Sequence, residues 1–252
     1  MPEPLLTLDT LSKAFGAHQV LDGVDVTINR GEIVGLLGPN GSGKSTLLNA
    51  ISGFMAPDGG TVAIAGRDIT GLPAHRVTQA GLARTFQLPA MPSRMTVRDV
   101  LRAADTDAGT ARRMLRTPAR DSRVDRLLLT FRLSRVADLP ASSLSGGQKK
   151  LLSVALAMRG APELLCLDEP TAGVHPELRS EMVSALKAAN RQGTTLLVIE
   201  HDMLFIRQLC TRCIVLDRGK LIADCAPEEL EHNPAVVEAY LGKAIEKGKT
   251  AR

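Results

Sequence analysis

Gly38-Pro39-Asn40-Gly41-Ser42-Gly43-Lys44-Ser45-Thr46 lies between the apolar run Ile33 to Leu37 and a second apolar segment that starts at Leu47. A strand, then a loop of the form G-x-x-x-x-G-K-[ST], then a helix is the context that a phosphate-binding loop needs. The glycines let backbone N–H groups curl around phosphate oxygens, and the helix N-terminus favours the negative charge they carry. Lys44 is long enough to reach the β and γ phosphates, Ser45 is placed to ligate Mg²⁺, and ATP is the expected occupant.

Working outward, short apolar runs followed by turn residues and helical patterns recur at Ile33 to Leu37, Leu164 to Asp168, Thr195 to Ile199 and Ile214 to Leu216. This alternation predicts an α/β fold with a mostly parallel central sheet covered by helices. The helix between two of these strands starts at Pro176, carries Leu178, Met182, Leu186 and Ala189 on one face, and stops at Gly193. Ahead of the loop, Leu5 to Phe15 and His18 to Ile28 read as an antiparallel pair joined at Gly16-Ala17, and Thr61 to Ala65 adds a strand. Together these form an N-terminal β subdomain. From about residue 88 to 158 an inserted helical subdomain is expected, with a helix start at Thr96 and Asp99 and another segment from Asp121 to Leu133. Residues 1–242 are read as one ATPase domain and 243–252, lysine-rich and without apolar period, as a flexible tail.

Two further motifs carry chemistry. Leu164-Leu165-Cys166-Leu167-Asp168-Glu169-Pro170 is an apolar run ending in two acids, at the end of a strand where a parallel sheet presents its ligands. Asp168 suits the Mg²⁺ shell and Glu169 suits a general base that polarises the attacking water. Alone, such a pair is also a common helix cap or surface turn. Leu144-Ser145-Gly146-Gly147-Gln148 precedes a helix through Leu151, Leu152, Ala155 and Leu156, and forms a second tip suited to an anion, with Ser145 as donor. A plain Ser-Gly cap is the bland alternative.

With these residues together, the chain resembles the nucleotide-binding subunits of ABC transporters from Leu5 to Gly242; the pentapeptide LSGGQ separates that family from other phosphate-loop NTPases. The resemblance implies ATP hydrolysis coupled to transmembrane transport, on the inner face of the cell membrane and through permease subunits. It implies a second ATP-binding subunit, identical or not, paired head to tail so that Ser145 and Gly147 of one chain close over the ATP held by Lys44 of the other. Gln87, after Leu82-Ala83-Arg84-Thr85-Phe86, looks like the glutamine that senses Mg²⁺ and the γ-phosphate; a polar strand end is the alternative. His201 looks like the switch histidine, and Phe15 like the aromatic that stacks on adenine, although a Phe there serves equally in a core. His175 is a departure: it stands where many members have an Asp that communicates across the dimer, and a neutral imidazole cannot make the same contacts.

Leu72-Pro73-Ala74-His75, Gly81 to Gln87, Val198 to Met203 and Val237 to Gly242 look like the ATP-binding subunits of branched-chain amino acid importers, which implies a solute-binding protein as a further partner. Subunits of urea or short-amide importers and the lipopolysaccharide-export ATPase share parts of these segments. Leu88, Pro89, Met91 and Met95 are placed to line a groove for a helix of a permease, or to fill the subdomain core.

Composition sets limits. The 252 residues suffice for one large domain, with 44% apolar and 23% charged residues and only 2% aromatic. The net charge of +4 is spread thinly, and the densest basic stretch, Arg112 to Arg126, lacks interleaved aromatics, so nucleic acid is not expected as a partner. A soluble ABC ATPase acting on nucleic acid would carry a second cassette or large insertions, and an Asn-Lys-x-Asp guanine motif is missing. Cys166, Cys210, Cys213 and Cys225 lack the spacing of a disulfide framework and read as reduced thiols. The Cys210–Cys213 spacing finds no second pair to complete a zinc site. The first ten residues lack a signal-peptide pattern, and no run approaches a spanning helix, so any membrane role is expected to come through a partner.

Overall fold

A computed structural model describes residues 3–86, 91–104 and 121–240. Gln87, Leu88, Pro89, the basic stretch from Arg112 to Arg120, Leu241, Gly242 and the tail 243–252 fall outside the described residues. Two sheets organise the rest. In the first, β1 (Pro4–Phe15) and β2 (His18–Asn29) form the expected hairpin, with Phe15 opposite His18 and Gly16 at φ 60° in the turn. β4 (Gly59–Ile64) pairs on the other side of β1, and the two-residue β5 (Arg67–Asp68) follows it, giving the order β2-β1-β4-β5.

The second sheet has the order β10-β9-β3-β8-β7-β6. β3 (Ile33–Leu37), β6 (Leu82–Arg84), β7 (Leu164–Asp168), β8 (Thr195–Ile199) and β9 (Arg212–Asp217) run parallel, and β10 (Lys220–Cys225) returns antiparallel to β9. Its central strands are buried along their whole length and, apart from Thr195 and the terminal Asp168, carry no polar side chain, because both faces are covered. Ile33, Leu165, Leu167, Leu196 and Val198 enter a core shared with helices. Val34, Leu36, Leu164, Cys166, Leu197 and Ile199, the alternate positions, enter a second core shared with the first sheet and α1 (Lys44–Ile51). That double burial anchors the strand ends from which the loops of the site emerge.

The short α2 (Ala74–Gln79) precedes β6. The helical part comprises α3 (Val97–Ala103), α4 (Ser122–Thr130) and α5 (Gly146–Ala157). The Thr96 hydroxyl accepts from Asp99 N–H and the Asp121 carboxylate accepts from Arg123 and Val124 N–H, so both expected starts are side-chain caps. Its apolar residues, among them Leu101, Leu128, Phe131 and Leu152, are continuous with the core on the helical face of the sheet. Met91 and Met95, partly buried, pack against that core. α6 (Pro176–Arg191) has Pro at its first turn and buries Met182, Val183, Ala185, Leu186 and Ala189, while Leu178 is half-buried. α7 (Met203–Leu209) follows β8, capped by Asp202, and a last helical stretch covers 234–240. Among the described residues, no helix is long and apolar enough to cross a membrane.

Candidate functional site

The loop after β3 is shaped by glycines whose conformations other residues resist. Gly38 sits at φ 141°, and a Cβ there would lie 2.1 Å from Leu216 O; Gly43 sits at φ 109°, where a Cβ would meet Val20 O at 2.8 Å. The chain therefore turns tightly from β3 into α1, the geometry in which a helix N-terminus faces an anion. Lys44 is buried, and its ammonium donates to Gly38 O at 2.7 Å and Pro39 O at 3.0 Å, curling back over the loop it belongs to. Ser45 is exposed and Thr46 half-buried at the helix start.

Three neighbouring parallel strands, β3, β8 and β7, bring their carboxyl ends to this place. Lys44 follows the first, His201 the second and Glu169 the third, and all three line one cavity of about 410 Å³ with His18, Val20, Asn40, Gly41, Gly43, Ser45, Thr46 and Ile199. His201 Nε2 lies 3.2 Å from Glu169 Oε1. Glu169 holds a left-handed backbone, φ 47°, which a residue with a side chain adopts at a cost. Its N–H donates to Ile199 O at 2.9 Å, and its own carbonyl accepts from the Lys150 ammonium at 3.1 Å.

Burial pushes the Lys150 ammonium below its usual pKa, against the opposing pull of Glu200, Glu169 and Asp168. Glu200, also buried, accepts from Thr171 N–H at 2.7 Å, Thr171 Oγ1 at 2.6 Å and His201 N–H at 3.0 Å, so one carboxylate pins the turns after both β7 and β8. Asp168 pairs with Arg84 at 3.0 Å.

The oxygen donors of Ser45 and Asp168 are those a hard cation prefers, and the described residues hold no cluster of three or more acidic, His or Cys groups. Ser45 lines the cavity and Asp168, which does not, is paired with Arg84; their oxygens would suit Mg²⁺ held in part by water and phosphate.

The Ser145 segment stands apart from this cavity. Ser145 Oγ accepts from Gln148 N–H at 3.3 Å and Gln148 Oε1 accepts from Ser145 N–H at 3.0 Å, a reciprocal capping box at the start of α5. Ser145 and Gly146 are exposed, but Gly147 is buried against Leu178, whose Cδ1 would lie 2.4 Å from a Cβ there. Phe15 is half-exposed with the Lys13 ammonium 5.8 Å from its ring centroid, and it does not line the cavity; His18 and Val20 of β2 do. His175 is exposed at the N-terminus of α6, with no side-chain cap bond. The four cysteines are free thiols.

Arg84, Lys150, Glu200, His18 and Val20 were not singled out by motif. The hairpin register, which sets Phe15 opposite His18, could have pointed to His18; the others act through residues distant in sequence.

The family described as ABC transporter matches residues 21–172. A high-affinity branched-chain amino acid transport ATP-binding protein of Salmonella typhimurium is 36% identical, over 97% of this chain and 100% of the relative. A probable branched-chain amino acid transport ATP-binding protein of Archaeoglobus fulgidus is also 36% identical, over 94% of this chain and 95% of the relative. Among solved structures, the ADP conformation of an ATP-binding cassette of an ABC transporter superposes with a TM-score of 0.83 at 32% identity, covering 95% of this chain and 99% of that one. The chain belongs to the ABC transporter family as an ATP-binding, ATP-hydrolysing subunit.

Proposed function

We propose that this ABC ATPase powers uptake of branched-chain amino acids, and that the cavity between Lys44, Glu169 and His201 is where it hydrolyses ATP. The convergence of those three residues at the carboxyl ends of β3, β7 and β8 carries the site, and the 36% identity to branched-chain amino acid transport ATP-binding proteins supports the solute. In it the loop from Gly38 to Thr46 cradles the phosphates through its N–H groups, and Lys44 exchanges its bonds to Gly38 O and Pro39 O for phosphate oxygens. Glu169 orients and polarises the attacking water, and His201, whose Nε2 lies 3.2 Å from that carboxylate, reaches toward the γ-phosphate. Ser45 and Asp168, with Gln87 from outside the described residues, would hold Mg²⁺, which when bound neutralises charge on the phosphate oxygens. Phe15 at the lip, beside His18, is a stacking surface for adenine.

Ser145, Gly146, Gly147 and Gln148 do not line the cavity of their own chain. That supports a head-to-tail pair of ATP-binding subunits, in which this tip closes on the partner's ATP. Transmembrane permease subunits, a solute-binding protein and a position on the inner face of the membrane follow from the importer reading. The half-exposed Phe54 and Phe86, whose rings pack edge to face at 5.3 Å, offer a face for a permease helix beside the segment after β6.

The test is ATPase activity of wild type and Glu169→Gln, with size-exclusion chromatography in saturating Mg-ATP. Loss of turnover by about 100-fold with accumulation of an ATP-dependent dimer supports both the general base and the pair. Turnover retained by the variant removes Glu169 from its role.

A further inference from the structure

Arg84, on β6, is built into the site by contacts that no motif announced. Nη2 donates to Asp168 Oδ2 at 3.0 Å, and Nη1 donates to Asn49 Oδ1 at 2.6 Å and Ser52 Oγ at 3.1 Å, both at the far end of α1. Its guanidinium carbon lies 5.7 Å from the Phe54 ring centroid and 5.3 Å from that of Phe86. The side chains of Arg84 and Asp168 are 8% and 11% exposed, so this is a largely desolvated ion pair rather than a surface one.

A buried carboxylate left without a counter-charge is costly, and a bound divalent cation can supply that charge only while the site is loaded. We propose that Arg84 is the resident counter-ion of Asp168: it neutralises the carboxylate in the nucleotide-free chain and lowers the affinity of the empty site for divalent cations, so that the cation enters with the nucleotide. This rests on the reading of Asp168 as a residue that holds Mg²⁺. Asn49, Ser52 and the two aromatic rings fix the guanidinium by contacts independent of Asp168, so its charge stays in place when a cation arrives. Repulsion between like charges reaches several ångströms in a partly buried site, whereas aligning the carboxylate rests on a single hydrogen bond. The electrostatic effect therefore outweighs alignment, and removing Arg84 tightens cation binding.

The experiment titrates Mn²⁺ into the nucleotide-free full chain by electron paramagnetic resonance, for wild type, Arg84→Met, Arg84→Gln, Arg84→Lys and Asp168→Asn. Melting curves in EDTA and in Mn²⁺ accompany it. Arg84→Met and Arg84→Gln are expected to bind Mn²⁺ about tenfold more tightly than wild type, to melt earlier in EDTA and to recover in Mn²⁺. Arg84→Lys, which keeps the charge, stays within about twofold of wild type. Arg84→Gln keeps amide donors and serves if Arg84→Met does not fold. Unchanged or weaker Mn²⁺ binding in the charge-removing variants, with Asp168→Asn losing it, overturns the counter-ion role alone. Mn²⁺ binding retained by Asp168→Asn overturns the metal reading of Asp168 and this inference with it.

Discussion

Glu169 Oε1 and His201 Nε2 face each other at 3.2 Å across the ends of two adjacent strands, and the turns that carry them are tied together from below by Glu200. The carboxylate is thereby oriented by a group that itself has a fixed backbone. Replacing His201 by Ala removes this 3.2 Å contact and leaves the phosphate loop untouched. Turnover is expected to fall by about 100-fold with nucleotide affinity within about threefold of wild type. Steady-state ATPase kinetics beside equilibrium binding of a fluorescent ATP analogue check it; equal losses in both would mean that His201 serves binding rather than the chemical step.

Gly146 and Gly147 adjoin in sequence yet answer to different demands. A Cβ at Gly146 meets open space, while one at Gly147 would meet Leu178 Cδ1 at 2.4 Å. Gly146→Ala is expected to be neutral or to stabilise by up to about 1 kcal/mol, since Ala restricts the unfolded chain and suits a first helical turn. Gly147→Ala is expected to destabilise by about 1–2 kcal/mol through overpacking. Leu178→Ala in the same chain should recover most of the Gly147→Ala loss. Urea unfolding of the four chains decides this, and equal effects of the two alanines would refute the packing argument.

Tyr240 reaches back 202 residues to accept a hydrogen bond from Gly38 N–H at 3.0 Å, at the first residue of the phosphate loop. A Cβ at Gly38 would meet Leu216 O at 2.1 Å and Ser42 Oγ at 2.7 Å, so only glycine fits here. Tyr240→Phe deletes the acceptor and is expected to cost about 1 kcal/mol at the loop, seen as an ATP affinity about fivefold weaker. An unchanged KM for ATP, measured with turnover in the same assay, would show that the loop does not depend on this bond.

The pattern of the chain was readable where burial is two-sided and local. Ile33–Leu37, Leu164–Asp168 and Thr195–Ile199 are strands over the residues their apolar runs mark, because each run is covered on both faces and ends at a turn. The caps at Thr96 and Asp121 were legible because their partners are two or three residues away. β5, α2 and α7 are too short to show a period, and the half-exposed β10 mixes polar with apolar residues. Lys44, Asp168 and Glu169 were visible through motif spacing. Arg84, Lys150 and Glu200 meet their partners 84, 19 and 29 residues away, through a sheet order in which β8 stands between β3 and β7. No local window contains that information.

Cys166 offers a pH test of the core behind the site. It lies on β7, fully buried, and burial pushes its thiol from an ordinary value of 9.0 up to about 12. Cys213 on β9 is pushed to about 12 for the same reason. Above pH 9 the unfolded chain gives up these protons while the folded chain keeps them, so the folded pKa is the raised one and stability is lost as pH rises. The contribution is fully present below pH 9, declines between 9 and 12, and amounts to about 1.4 kcal/mol per thiol lost by pH 10. Unfolding free energies at pH 8, 9 and 10 should therefore fall more steeply for wild type than for Cys166→Ala, even though the variant starts lower for its lost packing. Titration of the lysines is common to both chains and cancels in the comparison of slopes. Parallel slopes for the two chains would mean that Cys166 ionises in the folded protein as easily as in the unfolded one, and that the strand carrying Asp168 opens to solvent.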